Sequence, residues 1–540
     1  MSDTPGTHGA VGRREGAFTR LFDKRLVDFD AAALKLLATQ MIGNAGDTPS
    51  NQPDGEENLA VPAGYTYFGQ FVDHDLTFDT TSSLTDANDG PTNLRTPRLD
   101  LDCIYGSGPD DQPYLYATVD GGGLFRGASL LLGEALPGSP GRHDLLRVGS
   151  GDGARAVIGD PRNDENAIVC NIQAAMIQFH NTVVARLAAQ AGAPRGKALF
   201  VAARKLVRWT YQRIVTDDYL PRIIEPATYN AFRERLANLG EGAFQMYKPA
   251  LRSGMPIEFA GAAYRFGHSM VRTGYKLNAG HTEQFIFTPG AGIDSLMGFG
   301  KLAANHWIEW KRFFPAGNAF TAKGKPPAQN TQSDADRLQW AYRIDASLVD
   351  PLKMLPDAIG NGDSLADLNL RRGNIFRLVS GQTVAGRLGQ APLADKYLVV
   401  RDTSGTPYGY TPIPEALRSE TPLWYYVLAE AQRELVDLWR AKNEGGQGDQ
   451  KLEDDDLLLG LADASGDRSH SRAPIAQLGP VGGMILMETF FGLLLADGES
   501  CLNIGAADDR QLHDDWFAFF TQGGQVEASM WRLLEVAGLT

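Results

Sequence analysis

Tyr67-Phe68-Gly69-Gln70-Phe71-Val72-Asp73-His74-Asp75-Leu76-Thr77-Phe78-Asp79 sets one imidazole between two carboxylates inside a run of aromatic and aliphatic side chains. Ionised carboxylates among apolar neighbours are costly unless a metal, hydrogen bonds or covalent chemistry accounts for them. A second string, Tyr264-Arg265-Phe266-Gly267-His268, puts a histidine directly after a glycine. Read as a helix from Tyr264 to Val271, it aligns Gly261, Tyr264, His268 and Val271 on one face, where a small residue lets a flat ligand approach.

Around these strings the apolar pattern is helical. Ile168, Ile172, Met176, Phe179, Val183 and Leu187 recur at steps of three or four, and Asp160-Pro161 reads as the cap and first turn of that helix. Leu199 to Ile214, Leu423 to Trp439 and Gly483 to Leu495 read the same way, whereas alternating strand patterns are few and short. Polar or glycine-rich loops are expected at Gly43–Glu57, Asp120–Gly141, Gly317–Asp336 and Asn443–Asp456. Gly121-Gly122-Gly123 follows no strand in a GxGxxG frame, and Gly324-Lys325 precedes Pro326, so both phosphate-loop signatures fail. The fold expected is mainly α, one large helical domain with long loops and little β-structure. An N-terminal arm and linker is expected over 1–60 and a catalytic domain over 61–540.

Composition narrows the partners. The 540 residues carry 51 Lys and Arg against 65 Asp and Glu, a net charge of −14, the wrong balance for neutralising phosphates. No nucleic acid partner is expected. The run Met484 to Ala496, interrupted by Glu488, is shorter than the roughly 20 apolar residues of a bilayer span, so no membrane span is expected. Cys103, Cys170 and Cys501 are dispersed and odd in number, without a CxxC pair, which predicts neither disulfides nor a zinc ribbon. With no signal-peptide pattern in the first twenty residues, a cytoplasmic location is the expectation.

Of the nine histidines (His8, His74, His143, His180, His268, His281, His306, His470 and His513), only His74 and His268 stand in such contexts. Taken in order, GQFVDHDLTF, GDPRNDE, YRFGH and LNLRRGN resemble the animal haem peroxidase family, within the peroxidase–cyclooxygenase superfamily, as a bacterial-type member without disulfides. The resemblance runs from about Tyr65 to Gln382. The later Leu478-Gly479-Pro480-Val481-Gly482-Gly483 resembles the family's C-terminal core helix.

The resemblance implies a mainly α haem-peroxidase domain and a role for each residue. His268 would be the proximal iron ligand, and Asn369 its partner, accepting the other ring N–H and so fixing the tautomer. Arg265 and Arg372 would pair with haem propionates. His74 would be the distal base, taking a proton from hydrogen peroxide and returning it to the departing oxygen. Arg162 would stabilise the charge that develops as the O–O bond breaks, and Gln70 would order distal water. Asp73 and Glu165 fall where mammalian members form esters to haem b methyl groups; for Glu165 the plainer reading is a carboxylate in a first helical turn, favourable to the helix dipole. One or two such esters are expected. Asn166 stands where those members have a sulfur-linked methionine, so a third bond is not expected.

The family's calcium loop maps onto Thr96, Arg98 (through its carbonyl), Asp100 and Asp102, with Asp75 completing the shell of a Ca2+ ion that takes six to eight oxygens. Alternation along Thr96–Asp102 would aim these oxygens to one side, and Asp102 replaces a serine of mammalian members.

The activity implied is that of a haem-dependent peroxidase, an oxidoreductase serving the response to oxidative stress. It would reduce hydrogen peroxide while oxidising small organic donors, halide or thiocyanate. A fatty-acid dioxygenase of the same superfamily would place a tyrosine three residues before the proximal histidine. That position is Arg265, and Tyr264 lies about 100° away on an α-helix. A haem- and calcium-binding protein without turnover is the alternative from another class. The sequence leaves the electron donor and the oligomeric state open.

Overall fold

Asn166, not Asp160, opens the long helix that organises the molecule. Its side-chain oxygen accepts the backbone N–H groups of Ile168 and Val169, while Asp160 caps a separate tight turn, Pro161–Asp164. Asp-Pro and Asn both satisfy orphan N–H groups, so the two starts look like one in the amino-acid sequence. Glu165 therefore precedes the cap instead of sitting in the first helical turn.

The computed structural model describes residues 16–42, 52–78, 92–117, 127–139, 141–248, 254–280, 282–287, 295–316, 337–360, 362–402, 409–443, 452–522, 525–526 and 528–540. His8, His281, Gly121-Gly122-Gly123, Gly324-Lys325 and most of the loops expected at 43–57, 317–336 and 443–456 lie outside them.

Helices dominate. In chain order they include α1 (Ala31–Met41), α2 (Gly64–Leu76), α3 (Ala167–Ala188), α4 (Lys197–Arg213), α5 (Leu365–Ile375), α6 (Leu423–Ala431), α7 (Arg433–Asn443) and α8 (Pro480–Ala496). α3 packs against α2 and α4, while α5 sits between α1 and α6. Strands among the described residues are short antiparallel pairs. The one beside α2 joins β1 (Glu57–Pro62) to β2 (Trp340–Tyr342), with Glu57 opposite Tyr342. There Glu57 is buried and held by Arg272 and by both arms of Arg337.

Leu423 to Trp439 is two helices, not one. Gln432 interrupts them, donating to the Val399 carbonyl and accepting from the Ala346 N–H, so its side chain serves the neighbouring chain segments. α8 is buried on nearly every side, the mark of a helix at the centre of a core. Its first N–H groups, at Val481 and Gly482, are accepted by Glu430 of α6. Its one acidic residue, Glu488, accepts the N–H groups of Gln245, Met246 and Tyr247. Among the described residues no helix is long and apolar enough to cross a membrane. The three cysteines are buried thiols.

Two departures from regular α-helix shape the site. α4 widens into a π-turn over Ile214–Tyr219, which carries Tyr219 to α2. The stretch around His268 is not an α-helix but tight 3-10 turns over Ala263–Met270. At three residues per turn, Arg265 lies in line with His268, and Tyr264 is about 120° from Arg265. The expected helical face of Gly261, Tyr264, His268 and Val271 therefore does not exist.

Candidate active site

α2 brings Gln70, Asp73 and His74 to one wall. His74 is buried, and its Nδ1 lies 2.7 Å from the Asn163 carbonyl oxygen. Asn163 is fixed in turn by donating to Gln173 of α3 at 2.9 Å. An amide oxygen only accepts, so the ring proton is on Nδ1 and Nε2 presents a lone pair. Burial, with the Arg162 charge second, pushes this imidazole down to about 4, leaving it neutral near pH 7. On the Nε2 side stands Glu165, 3.9 Å away. Glu165 accepts from Gln70, whose oxygen accepts from Asn166 at 3.1 Å. Burial raises the Glu165 carboxyl to about 7. Asn163 and Gln173 were not singled out in the sequence, although Asn163 lies inside the GDPRNDE string.

Arg162 is committed to structure at this wall. It binds Asp160 with two nitrogens and donates to the carbonyls of His74 and Thr77. Its charge reaches His74, but its hydrogen bonds fix the end of α2.

The facing segment supplies His268, Arg265, Asn369 and Arg372. Asn369 is buried on α5, one turn before Arg372, and touches both His268 and Arg372. Its Nδ2 lies 2.8 Å from His268 Nδ1, and its Oδ1 accepts from Arg372 at 2.9 Å. The expectation had the Asn369 oxygen accepting a ring N–H; here Nδ2 is the atom toward the ring and Oδ1 the atom toward Arg372. Arg372 can only donate, so it claims the amide oxygen and turns the NH2 toward the imidazole. Burial, with Arg265 and Arg372 adding to it, pushes His268 down to about 3.

Gln70, Asp73, Glu165, Arg265, His268 and Arg372 lie deep in the fold, yet each keeps accessible surface. A hollow lined by these side chains would leave them such surface. A Cβ built on Gly267, next to His268, would meet nothing within 4 Å. Asp73, tied by the Thr77 hydroxyl at 2.9 Å, acts electrostatically on His74 and Glu165 and also on Arg265 and Arg372. Arg265 donates to the Ala260 carbonyl, and among the described residues neither it nor Arg372 has an ion-pair partner. Two enclosed guanidinium groups without carboxylates suit an anionic ligand. A hollow with one imidazole at each wall and cations at one fits an iron tetrapyrrole bearing carboxylates.

Tyr264 does not enter this set. Its phenol lies 3.3 Å from the Gly69 carbonyl and 3.2 Å from the Tyr219 hydroxyl. His180 is likewise remote, bonded to Tyr105 and to the Ala128 carbonyl.

A second cluster lies at the end of α2. Oxygens of Asp75, Asp100 and Asp102 come within 4.8 Å of one another. Both oxygens of Asp75 are buried without a hydrogen-bond partner, and burial, then Asp102 and Asp100, raises its carboxyl well above the ordinary range. Such an orphaned carboxylate beside two others fits a hard cation. The strand-like alternation expected over Thr96–Asp102 is replaced by a kinked loop. Leu99 and Leu101 are left-handed, at φ 53° and 61°, because both side chains are driven into the core while the acids between and beside them stay at the cluster. Thr96 donates to Asp100 and Asp102, while the Arg98 side chain is exposed and its carbonyl faces Gln212 at 3.5 Å. Arg95 joins the two clusters, reaching Asp102 at 3.4 Å and Asp160 at 2.7 Å.

Residues 86–291 match the family model described as animal haem peroxidase. Those residues include Arg162, Glu165, Arg265 and His268. The string around His74 precedes them, and Asn369 follows. Similar segments occur in peroxidasin homolog pxn-2 of Caenorhabditis elegans (28% identity, 34% of this chain and 13% of that protein). They occur also in chorion peroxidase of Drosophila melanogaster (31%; 23% and 15%) and in human thyroid peroxidase (28%; 33% and 19%). The aligned segments thus span less than a fifth of the length of these relatives. Among solved structures, peroxidase A from Dictyostelium discoideum shares the fold with a TM-score of 0.55 at 13% identity, over 96% of this chain and 92% of that one. A fatty acid alpha-dioxygenase from Oryza sativa shares it at 0.52 and 13%, over 93% and 78%.

Proposed function

We propose that the animal haem peroxidase family domain carried by this chain works as a haem-dependent peroxidase, reducing hydrogen peroxide and oxidising small organic donors, halide or thiocyanate. One observation carries the reading: α2, which holds the neutral, oriented imidazole of His74 against Asn163, packs on the turns that carry His268, and Asp73 of that helix acts electrostatically on His74 and on both Arg265 and Arg372. Haem bound there would supply the redox chemistry, accepting two oxidising equivalents from peroxide and delivering them to a donor. His268 would hold its iron, Arg265 and Arg372 its carboxylates, and Asp73 and Glu165 would be the ester-forming side chains.

The residues then divide the work. His74 Nε2 takes the proton of hydrogen peroxide and hands it to the departing oxygen, and its position does not drift because Nδ1 is pinned. Arg162 contributes positive charge at the same wall, where negative charge develops as the O–O bond breaks. Gln70 and Glu165 fill the space beside Nε2 and order what enters it. Ca2+ held by Asp75, Asp100, Asp102, Thr96 and the Arg98 carbonyl would anchor the residue that follows the distal base.

The test is an absorption spectrum of the full chain with hemin, followed by peroxide-dependent oxidation of a phenolic dye. A Soret band and turnover are expected, with both lost in His268→Ala and turnover falling at least 10²-fold in His74→Ala. Binding without turnover would overturn the peroxidase reading, and oxygenated fatty acid as the main product would replace it with a dioxygenase. Organic extraction after peroxide treatment reads the esters, since linked haem stays with the polypeptide.

A further inference from the structure

Residues 16–30 precede every residue the site uses, yet they are bonded to both segments that carry its arginines. Thr19 pairs with the chain entering the short helix Ile257–Gly261, giving its N–H to the Met255 carbonyl and taking the Ile257 N–H, each at 2.8 Å. Glu258 of that helix is fully buried, and its two carboxylate oxygens accept the N–H groups of Leu21 at 3.0 Å and Phe22 at 3.3 Å. A buried carboxylate is costly without such donors, so Glu258 fixes where the arm lies. The helix runs into the turns Ala263–Met270, and Arg265 hangs from it through the Ala260 carbonyl at 2.8 Å. Farther along, the arm grips the end of α5 just beyond Arg372. Arg20 donates to the Phe376 carbonyl at 2.6 Å and the Arg25 N–H to the Arg377 carbonyl at 3.0 Å, while Asn374 holds Phe29 at both its N–H and its carbonyl. Arg377 is left-handed at this grip, with φ 50°, a strained state that persists only where its surroundings hold it.

We propose that residues 16–30 are a tie across these two segments, anchored on Glu258, that sets the spacing of Arg265 and Arg372 for a ligand bearing two carboxylates. The pair needs such a brace. The Arg265 charge acts against that of Arg372 inside the fold, and among the described residues neither guanidinium has a carboxylate in ion-pair range. Like charges in a low-dielectric interior push their carriers apart unless the backbone resists. α5 and the helix Ile257–Gly261 pack directly, with the Phe376 ring so near Gly261 that a Cβ there would stand 2.9 Å from it. The tie spans that same contact and bonds to both of its sides. Glu258 is a positioning residue, acting on the ligand through the two arginines. The inference rests on the assignment of Arg265 and Arg372 to haem carboxylates.

The tie is read without iron and without turnover. The full chain is titrated, by porphyrin fluorescence, with metal-free protoporphyrin IX and with its dimethyl ester, which lacks both charges. The wild type should bind the diacid about tenfold or more tighter than the ester, the scale of one charged hydrogen bond. Glu258→Ala should bring that preference to within about threefold while affinity for the ester holds, because loosened arginines lose a pre-set geometry and not an apolar wall. Asn374→Ala releases the other end of the tie and carries the same expectation, so the question stays decidable should Glu258→Ala fail to fold. In the haem-free chain, either variant should quicken hydrogen exchange in both 257–270 and 365–377 and leave 480–496 unchanged. Equal loss of affinity for diacid and ester, or an unchanged preference, overturns the tie. Should the wild type bind neither porphyrin, the haem assignment falls and exchange alone decides the tie. Faster exchange in both segments then upholds it, and faster exchange in one or neither overturns it.

Discussion

The Asn163 oxygen decides which nitrogen of His74 can act. Asn163→Ala removes that anchor and leaves a buried ring free to rotate or change tautomer. Peroxide-dependent dye oxidation should fall about 10–100-fold while hemin affinity stays within a few-fold of wild type. Equal loss in both measurements would mean that Asn163 supports the fold and not the base. His74, Asp73 and Asp75 were legible from the sequence because acids beside a histidine in an apolar run need an explanation. Asn163 and Gln173 were not, since a buried amide declares itself only through the partner it meets. Asn369 was legible as the partner of His268, yet the sense of its hydrogen bond was not. Arg372 donates to the Asn369 oxygen, a contact that residue spacing does not announce.

Between elements, closeness is the constraint. A Cβ on Gly69 would stand 2.4 Å from the Tyr219 hydroxyl, in a cluster where Tyr219 also touches Tyr65 and Tyr264. Gly69→Ala should destabilise the chain by about 1–3 kcal/mol, measured by chemical denaturation, and Tyr219→Phe should recover part of it. No recovery would place the strain elsewhere. The join between α6 and α8 predicts a pH effect. Burial raises the Glu430 carboxyl to about 7 from 4.5, against its hydrogen bonds to Val481 and Gly482 and the pull of Arg433, with Glu225 pushing the same way as burial. A raised acid contributes stability that is full below pH 4.5 and is lost as pH rises through 7, here about 3 kcal/mol. Glu430→Gln should flatten that part of the stability profile between pH 5 and 8.5; an unchanged slope would exclude Glu430 as its source. Helix positions were legible from apolar spacing. The 3-10 turns at His268, the π-turn before Tyr219 and the break at Gln432 were not, because each answers to a neighbour distant in sequence.

At the scale of the molecule, the acidic cluster and the hollow are joined through α2 and Arg95. If Ca2+ fills the cluster, chelation should lower the melting temperature of the full chain, and added Ca2+ should restore it in proportion to the logarithm of its concentration. Asp75→Asn should abolish that response and slow dye oxidation, because the last turn of α2 carries both Asp75 and His74. A melting temperature indifferent to chelator and Ca2+ alike would dismiss the ion. The mainly α architecture was visible in composition and period. The kinked path through Leu99 and Leu101 was not, since left-handed leucines follow from burial alone. α8 brings one more consequence. It packs against the segments at 226–239 and 263–270 although it lies more than two hundred residues later in the chain. A growing polypeptide exposes His268 long before that helix emerges from the ribosome. Closure of the core around His268 is thereby deferred until synthesis has passed residue 496, and a chain stalled earlier would present sticky, unroofed apolar surface to chaperones.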